Sequence, residues 1–132
     1  MSTTQDIWAV VETDSQGRPR RLGLELASTA AKLAQANGGQ GGAIVIGPRE
    51  AADAVAAYGP ATVYYCADAR CRDEAVTPAA ATIAALIGQH TPRLVLFPAT
   101  PNGKDWAGWV AGKLGLGIEA NAANLEWADG QP

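Results

Sequence analysis

Four short runs of β-favouring apolar residues alternate along the chain with four stretches of helical periodicity, and this alternation limits the possible folds more than any other feature. The runs occupy residues 7–11, 43–46, 62–66 and 94–97. Strands separated by helices lie parallel, because each helix carries the chain back to the edge of the sheet where the next strand starts. We therefore predict an α/β fold with a doubly wound, mostly parallel sheet, right-handed crossovers and the strand order 3-2-1-4-5.

The stretches between the runs predict amphipathic helices. Apolar residues at steps of three and four predict a helix over residues 22–36, and an alanine-rich helix follows over residues 50–57. The third helix is predicted to begin after Thr77 as its N-cap, with Pro78 at its first position. His90 falls in the last turn of that helix, where we expect a capping or surface residue and not a catalyst.

The composition of the chain narrows the classes of protein to which it can belong. With 132 residues, of which 48% are hydrophobic and 17% charged, it is expected to be one folded domain. A net charge of −3 offers no attraction to nucleic acid or to an anionic membrane. The sequence has no apolar run long enough to span a bilayer, and no signal peptide at its start. A cytoplasmic protein without membrane insertion is the expectation.

Two cysteines, at positions 66 and 71, have four residues between them, and the single histidine of the chain, His90, lies far along the sequence. A metal site would require further cysteine or histidine ligands nearby, so no metal is expected. We interpret Cys66 as a small apolar residue on a strand and Cys71 as part of a charged loop over residues 68–76. A cytosolic disulfide is not expected, because that compartment keeps thiols reduced.

The predicted strand order places the carboxyl ends of strands 1 and 4 side by side, so that Glu12 and Thr13 face residues 99–104 across a crevice. In α/β proteins this is the usual position of a ligand site. Here the loop after strand 1 is acidic, and the glycine cluster at residues 38–42 precedes a strand instead of following one. The crevice is therefore a poor phosphate cradle, and no Ser-His-Asp set or other catalytic arrangement is present in the sequence.

The segment 102–105 allows two interpretations that are compatible with each other. It can be a simple helix start, with Asn102 as the N-cap and Asp105 in the first turn. It can also present free N–H groups to an anionic ligand. The candidate cofactor contacts are Thr100, Asn102, Gly103 and Lys104.

The fourth helix carries two tryptophans on roughly one side. Trp106 is predicted to lie in the core, and Trp109 at the edge of that face is predicted to contact a partner subunit or another domain. Beyond this helix, Ala123, Leu125 and Trp127 alternate with polar residues and indicate a fifth strand. The hairpin-type turn at positions 129 and 130 suggests a chain cut from something longer.

Taken together, these features resemble the N-terminal domain of the electron-transfer flavoprotein alpha subunit. The resemblance extends over essentially all 132 residues. The residues that carry it are Ile7 to Glu12 with the polar turn after them, Ala56-Ala57-Tyr58-Gly59, Thr62-Val63-Tyr64, Leu96-Phe97-Pro98-Ala99-Thr100, Asn102-Gly103-Lys104-Asp105, and Val110-Ala111 through Leu114-Gly115.

The resemblance implies a three-layer sandwich like that of adenine-nucleotide hydrolases, and a role in electron transfer. The chain would be a single N-terminal domain over residues 1–132, without the C-terminal domain that mainly holds FAD in this family. No cofactor is then expected in this fragment. The full heterodimer would contain a beta subunit, would take electrons from acyl-CoA or other dehydrogenases, and would be a carrier and not an enzyme.

The sequence departs from the family pattern at three positions around the fourth helix. Pro101 stands where a small hydroxyl residue is usual, Lys104 replaces arginine, and Trp109 replaces a frequent arginine. Lysine keeps the charge but loses the bidentate geometry of a guanidinium group. The alternative function is a stand-alone adenine-nucleotide-binding module of the same fold, which the acidic loop after strand 1 disfavours.

Overall fold

The computed structural model describes residues 4–73 and 76–117. Four parallel strands, β1 (Ile7–Glu12), β2 (Gly41–Ile46), β3 (Thr62–Cys66) and β4 (Leu94–Leu96), form one sheet in the order β3-β2-β1-β4. This order confirms the first four positions of the predicted arrangement. The predicted fifth strand around Ala123, Leu125 and Trp127, and the turn at positions 129 and 130, lie outside the described residues.

Five helices connect and follow these strands in the described part of the chain. They are α1 (Arg21–Ala36), α2 (Arg49–Ala56), α3 (Ala69–Asp73), α4 (Val76–His90) and α5 (Pro101–Leu114). The crossovers between parallel strands run through helices, as the alternating sequence predicts. None of the helices in the described residues combines the length and the apolarity needed to cross a lipid bilayer.

The helices cover both faces of the sheet, which gives the predicted three-layer architecture. One apolar cluster joins alternate residues of β1 and β2 to α1 and α2, and includes Ile7, Val11 and Val45. The other joins the intervening residues, such as Trp8 and Ile44, to α4 and α5. All six residues of β1 and all six of β2 are buried, because both faces of these central strands are covered.

Small residues allow α1 to lie directly on the sheet. Ala27, Ala30 and Ala34 of this helix are fully buried. Opposite them, a Cβ added to Gly41 would come within 2.6 Å of the Cα atom of Ala31. Glycine at position 41 is therefore required by the close approach of helix and strand, and the alanines serve packing.

The structure corrects two predictions for the segment after β3. The predicted charged loop over residues 68–76 contains the short helix α3, and Cys71 is buried in that helix instead of lying in a loop. Thr77 and Pro78 do not begin the next helix, because Val76 before them is already helical. A five-residue helix is too short to produce a recognisable apolar period, which explains why the sequence pattern missed it.

His90 is neither a cap nor a simple surface residue. Its Nε2 atom lies 3.3 Å from the hydroxyl oxygen of Tyr64, and its ring centroid lies 5.7 Å from that of Trp8. Trp8 and Tyr64 contact each other as well, with centroids 5.4 Å apart. The histidine therefore belongs to a half-buried aromatic cluster beneath the end of α4.

Candidate functional site

The carboxyl ends of β1 and β4 meet the amino end of α5, and this junction is the candidate site. β1 and β4 are hydrogen-bonded neighbours, with Ala9 opposite Leu96. The loop that leaves β4 leads directly into α5, so the first residues of this helix lie above the end of β1. The predicted approach of Glu12 to residues 99–104 is confirmed by direct hydrogen bonds between them.

Glu12 is the central residue of this junction. It is only 7% exposed, although it carries a carboxylate. Its Oε1 atom accepts a hydrogen bond from the hydroxyl of Thr100 at 2.7 Å, and its Oε2 atom accepts one from the amide nitrogen of Asn102 at 3.0 Å. A buried carboxylate is tolerated when polar donors satisfy both of its oxygens, as they do here.

Arg20 joins the carboxylate from the loop that follows β1. Its Nε atom lies 3.9 Å from Oε2 of Glu12, while about half of the arginine side chain remains exposed. The backbone N–H of Arg20 also donates to the carbonyl oxygen of Glu12 at 2.9 Å. The ion pair is long and solvated, so it contributes little energy compared with the two hydrogen bonds.

The loop between β1 and α1 is a polar turn, as the sequence predicts. Oδ1 of Asp14 accepts hydrogen bonds from the backbone N–H groups of Gln16 and Arg18 at 2.9 and 3.0 Å. The bond from the backbone of Arg18 is the main reason that the pKa of Asp14 lies below its ordinary value. These N–H groups are thus occupied by an aspartate of the chain itself.

The amino end of α5 is capped by Thr100 and not by Asn102, which corrects the sequence prediction. The hydroxyl oxygen of Thr100 accepts a hydrogen bond from the N–H of Gly103 at 3.0 Å, and Pro101 occupies the first helical turn. Asn102 already lies within the helix and uses its side chain to reach Glu12. The proline after the threonine was the signal in the sequence, because proline favours the position directly after the N-cap.

Gly103 is required by the same junction. A Cβ atom at this position would run into the carbonyl oxygen of Pro98 and would lie 2.8 Å from the Cγ atom of that proline. The first turn of α5 therefore folds back tightly against the loop that precedes it. Thr100, through its single hydroxyl, donates to Glu12 and accepts from Gly103, and so connects β1 to this turn.

The side chains at the junction form hydrogen bonds with one another, so the junction is closed by contacts within the protein. The hydroxyl of Thr100 and the amide of Asn102 point to a carboxylate of the protein, in the place where a phosphate would need donors. A phosphate would have to displace the Glu12 carboxylate, which would otherwise repel it. A pyrophosphate could use these two side-chain donors only after the Glu12 carboxylate had moved away from them.

The four candidate cofactor contacts, Thr100, Asn102, Gly103 and Lys104, are all brought together at this junction. Thr100 and Asn102 are engaged by Glu12, Gly103 is buried, and Lys104 is exposed. A contact between these four residues and a cofactor stays a prediction. Within the described residues, no group of three or more side chains is arranged to hold a metal ion.

The remainder of α5 divides into a buried and an exposed face. Trp106 is 4% exposed and lies in the core, as predicted. Trp109 is half-buried, and packs against the edge of the same apolar cluster. Beside it, Cβ atoms added to Gly108 or Gly112 would meet no atom within 4 Å. Leu116 follows the helix and is 52% exposed.

Comparison with known proteins connects this architecture to one family. The sequence profile of the electron transfer flavoprotein domain matches residues 7–131. The electron transfer flavoprotein subunit alpha of Syntrophomonas wolfei is 32% identical over 126 residues, which cover 94% of this chain and 38% of that protein.

Two further relatives have similar coverage. The electron transfer flavoprotein subunit alpha of Thermoanaerobacterium thermosaccharolyticum is 27% identical over 128 residues, covering 96% of this chain and 38% of that protein. Protein FixB of Bradyrhizobium diazoefficiens is 32% identical over 128 residues, covering 91% of this chain and 34% of that protein. The chain thus spans between 34% and 38% of the length of these curated relatives.

Proposed function

The chain belongs to the electron transfer flavoprotein family, and from this membership we propose that it is the N-terminal scaffold and subunit-interface domain of an alpha-type subunit. In full length, such a subunit would shuttle electrons from dehydrogenases to an acceptor through FAD. The domain itself would be a carrier component without catalytic residues. Its contribution would be to hold the alpha subunit against a beta-type partner.

The closed junction at Glu12 is the observation that carries this proposal. In α/β proteins that bind a nucleotide at the sheet edge, the crevice between neighbouring strands is open to the ligand. Here Glu12 fills it, and Thr100 and Asn102 hold the carboxylate from α5. Because the protein's own carboxylate accepts the hydrogen bonds of both side-chain donors, the junction favours a rigid scaffold over a binding pocket.

We propose that, in a full-length subunit, FAD would be held mainly by residues outside this domain. The matched region covers only 38% of each of the two relatives named as flavoprotein subunits, so well over half of each relative lies outside it. The remaining length is ample for a flavin-binding domain. Acyl-CoA or other dehydrogenases would then bind the complete heterodimer, and this domain would position the two subunits of the heterodimer relative to each other.

We propose that the partner binds the outer patch of α5, defined here as Gly108, Trp109, Gly112 and Leu116. Glycine inside a helix costs about 1 kcal/mol relative to alanine. Nothing in the described residues fills the space beside Gly108 and Gly112, so no contact within that part of the chain explains these two glycines. A closely packed partner would explain them, and a half-buried tryptophan at the margin suits such an interface.

A stand-alone adenine-nucleotide-binding module remains the second candidate, favoured by the position of the amino end of α5 at the sheet edge. In that case the phosphates would contact Thr100, Asn102, Gly103 and Lys104. Binding would require Glu12 to leave both of its donors. The two candidates therefore differ in a measurable way, because only the second predicts affinity for free nucleotides.

Titration of the 132-residue chain separates the two functions. We expect the chain to bind a beta-type subunit from the same genome, and to show no micromolar affinity for ATP, AMP or FAD. Trp109→Arg should weaken the pairing. Tyr58→Arg is the matched control, because Tyr58 is an exposed aromatic residue beyond α2, in the layer on the other face of the sheet. Micromolar binding of ATP or AMP would favour the nucleotide module instead.

A further inference from the structure

Two cysteine side chains lie in one apolar cluster near the carboxyl end of β3 and interact with each other, two strands away from the Glu12 junction. Cys66 is the last residue of β3 and is half-buried, whereas Cys71 in α3 is 7% exposed. Both side chains belong to the apolar cluster between the sheet and α4. Both cysteines are free in the structure.

The turn between the two cysteines is held by Asp68. Its Oδ1 atom accepts a hydrogen bond from the N–H of Arg70 at 2.9 Å, and its backbone carbonyl accepts one from the N–H of Cys71 at 3.0 Å. At the other end, the carbonyl oxygen of Cys66 accepts a hydrogen bond from the N–H of Gly47 at 3.0 Å. These bonds fold the chain back, so that α3 carries Cys71 towards β3.

The environments of the two thiols differ. Burial, followed by the interaction with the neighbouring Cys66 thiol, raises the pKa of Cys71 to about 11. The Sγ atom of Cys71 also lies 3.9 Å from the hydroxyl oxygen of Thr82. At neutral pH Cys71 therefore stays a protonated, shielded thiol, and Cys66 is the sulfur that an oxidant in solution reaches first.

We propose that Cys66 and Cys71 form a redox-active dithiol that closes to an intramolecular disulfide when the chain meets a hydroperoxide. In the first step the Cys66 sulfur attacks one peroxide oxygen, the O–O bond breaks, and Cys66 becomes a sulfenic acid with release of one water. In the second step the Cys71 sulfur displaces the sulfenic hydroxyl, which leaves as a second water. Two thiols and one hydrogen peroxide thus give one disulfide and two waters.

The proposal assigns an order to the two cysteines. Cys66 is the peroxide-reactive residue, and Cys71 is the resolving residue that captures the sulfenic acid from inside the cluster. A reducing compartment returns the pair to the two thiols seen in the structure, by exchange with a small thiol.

Treatment of the full chain with equimolar hydrogen peroxide tests the proposal by intact mass and by thiol count in denaturant. We expect monomeric chain that has lost two hydrogen atoms and both free thiols, with recovery on addition of dithiothreitol. Peptide mapping should find position 66 linked to position 71. A chain that keeps two thiols, or one that forms disulfide-linked dimers, would overturn the assignment.

Single substitutions test the order of the two steps. In Cys71→Ser the sulfenic acid should persist at Cys66 and be trapped by dimedone. In Cys66→Ser, peroxide should consume the remaining thiol at least roughly tenfold more slowly than in Cys71→Ser, because the Cys71 thiol is buried and protonated. Circular dichroism checks that each variant is folded. If the serine hydroxyl buried at position 71 prevents folding, Cys71→Ala replaces Cys71→Ser. Equal peroxide rates for the Cys66 and Cys71 variants would contradict the assigned roles.

Discussion

Glu12 and Thr100 are separated by 88 positions in the sequence, yet the carboxylate of the first accepts a hydrogen bond of 2.7 Å from the hydroxyl of the second. This contact connects the end of the central strand β1 to the N-cap of α5. Asn102 binds the other carboxylate oxygen, so one buried side chain aligns a strand, a loop and a helix. In the folded chain, the Glu12 carboxylate thereby occupies the two side-chain donors at the crevice.

Replacing Glu12 by alanine should destabilise the domain. The half-buried hydroxyl of Thr100 and the exposed amide of Asn102 would both lose a charged acceptor, and a hydrogen bond to a charged group contributes about 1.5–3 kcal/mol. We expect a loss of about 2 kcal/mol in the free energy of unfolding, measured by urea denaturation. Glu12→Gln should lose less, because its carbonyl oxygen still accepts one bond.

Arg20→Ala is the control for this experiment. Its ion pair with Glu12 is 3.9 Å long and half exposed, so its removal should change the stability by less than about 1 kcal/mol. If Arg20→Ala proves as damaging as Glu12→Ala, the charge pair and not the hydrogen-bonded joint holds the crevice closed.

The sequence predicted the position of this junction but not its hydrogen bonds. The strand order follows from alternation, so the proximity of Glu12 to residues 99–104 could be predicted. Both Thr100 and Asn102 are residue types that cap helices well, and Pro101 was the local signal that favoured Thr100. The hydrogen bonds of both side chains to the buried Glu12 are long-range contacts, which local patterns do not show.

Gly103→Ala should destabilise the domain by about 1–3 kcal/mol, because the new methyl group would force Pro98 and the first turn of α5 apart. Gly108→Ala on the same helix is the matched control. It meets open space, so it should stabilise the isolated chain by about 0.5–1 kcal/mol through lower backbone entropy in the unfolded state. Thermal unfolding of both variants compares the two. A similar midpoint for the two variants would argue against the close approach at Pro98.

Thr91→Asn should raise the stability of the domain. Thr91 follows α4 with a φ of 47°, in the left-handed region that β-branched residues disfavour. Asparagine tolerates this conformation, and its backbone carbonyl can still accept the bond from the N–H of Thr4. The gain should be about 1 kcal/mol in the free energy of unfolding. Thr29→Asn, on the exposed face of α1, should give no gain; an equal gain there would assign the effect to something other than φ.

The buried thiol of Cys71 should make the fold sensitive to alkaline pH. Its pKa is raised from 9.0 to about 11 in the folded state, so the folded chain binds this proton more tightly than the unfolded chain does. The contribution is fully present below pH 9 and is lost as the pH rises towards 11. In urea denaturation, the wild type should lose stability more steeply than Cys71→Ala across this window. Parallel pH profiles for the two chains would refute the assignment.

The global fold was accessible from the sequence because each central strand is buried on both faces and reads as a continuous apolar run. The smaller elements were not. α3 is stabilised by the turn at Asp68 and by the burial of Cys71, and neither feature produces a periodic pattern of apolar residues in the sequence. His90 could not be placed either, because its contacts with Trp8 and Tyr64 join three separate elements.

The affinity of this chain for a beta-type subunit tests the central proposal most directly. Gly108→Ala combined with Gly112→Ala should raise the stability of the isolated chain, because both methyl groups enter open space. The same two methyl groups should obstruct a partner packed on the outer patch. We predict a dissociation constant at least roughly tenfold higher for the double variant, together with a higher unfolding midpoint. An unchanged dissociation constant, or no binding by the wild-type chain, would contradict the proposal that this domain is a subunit interface built on α5.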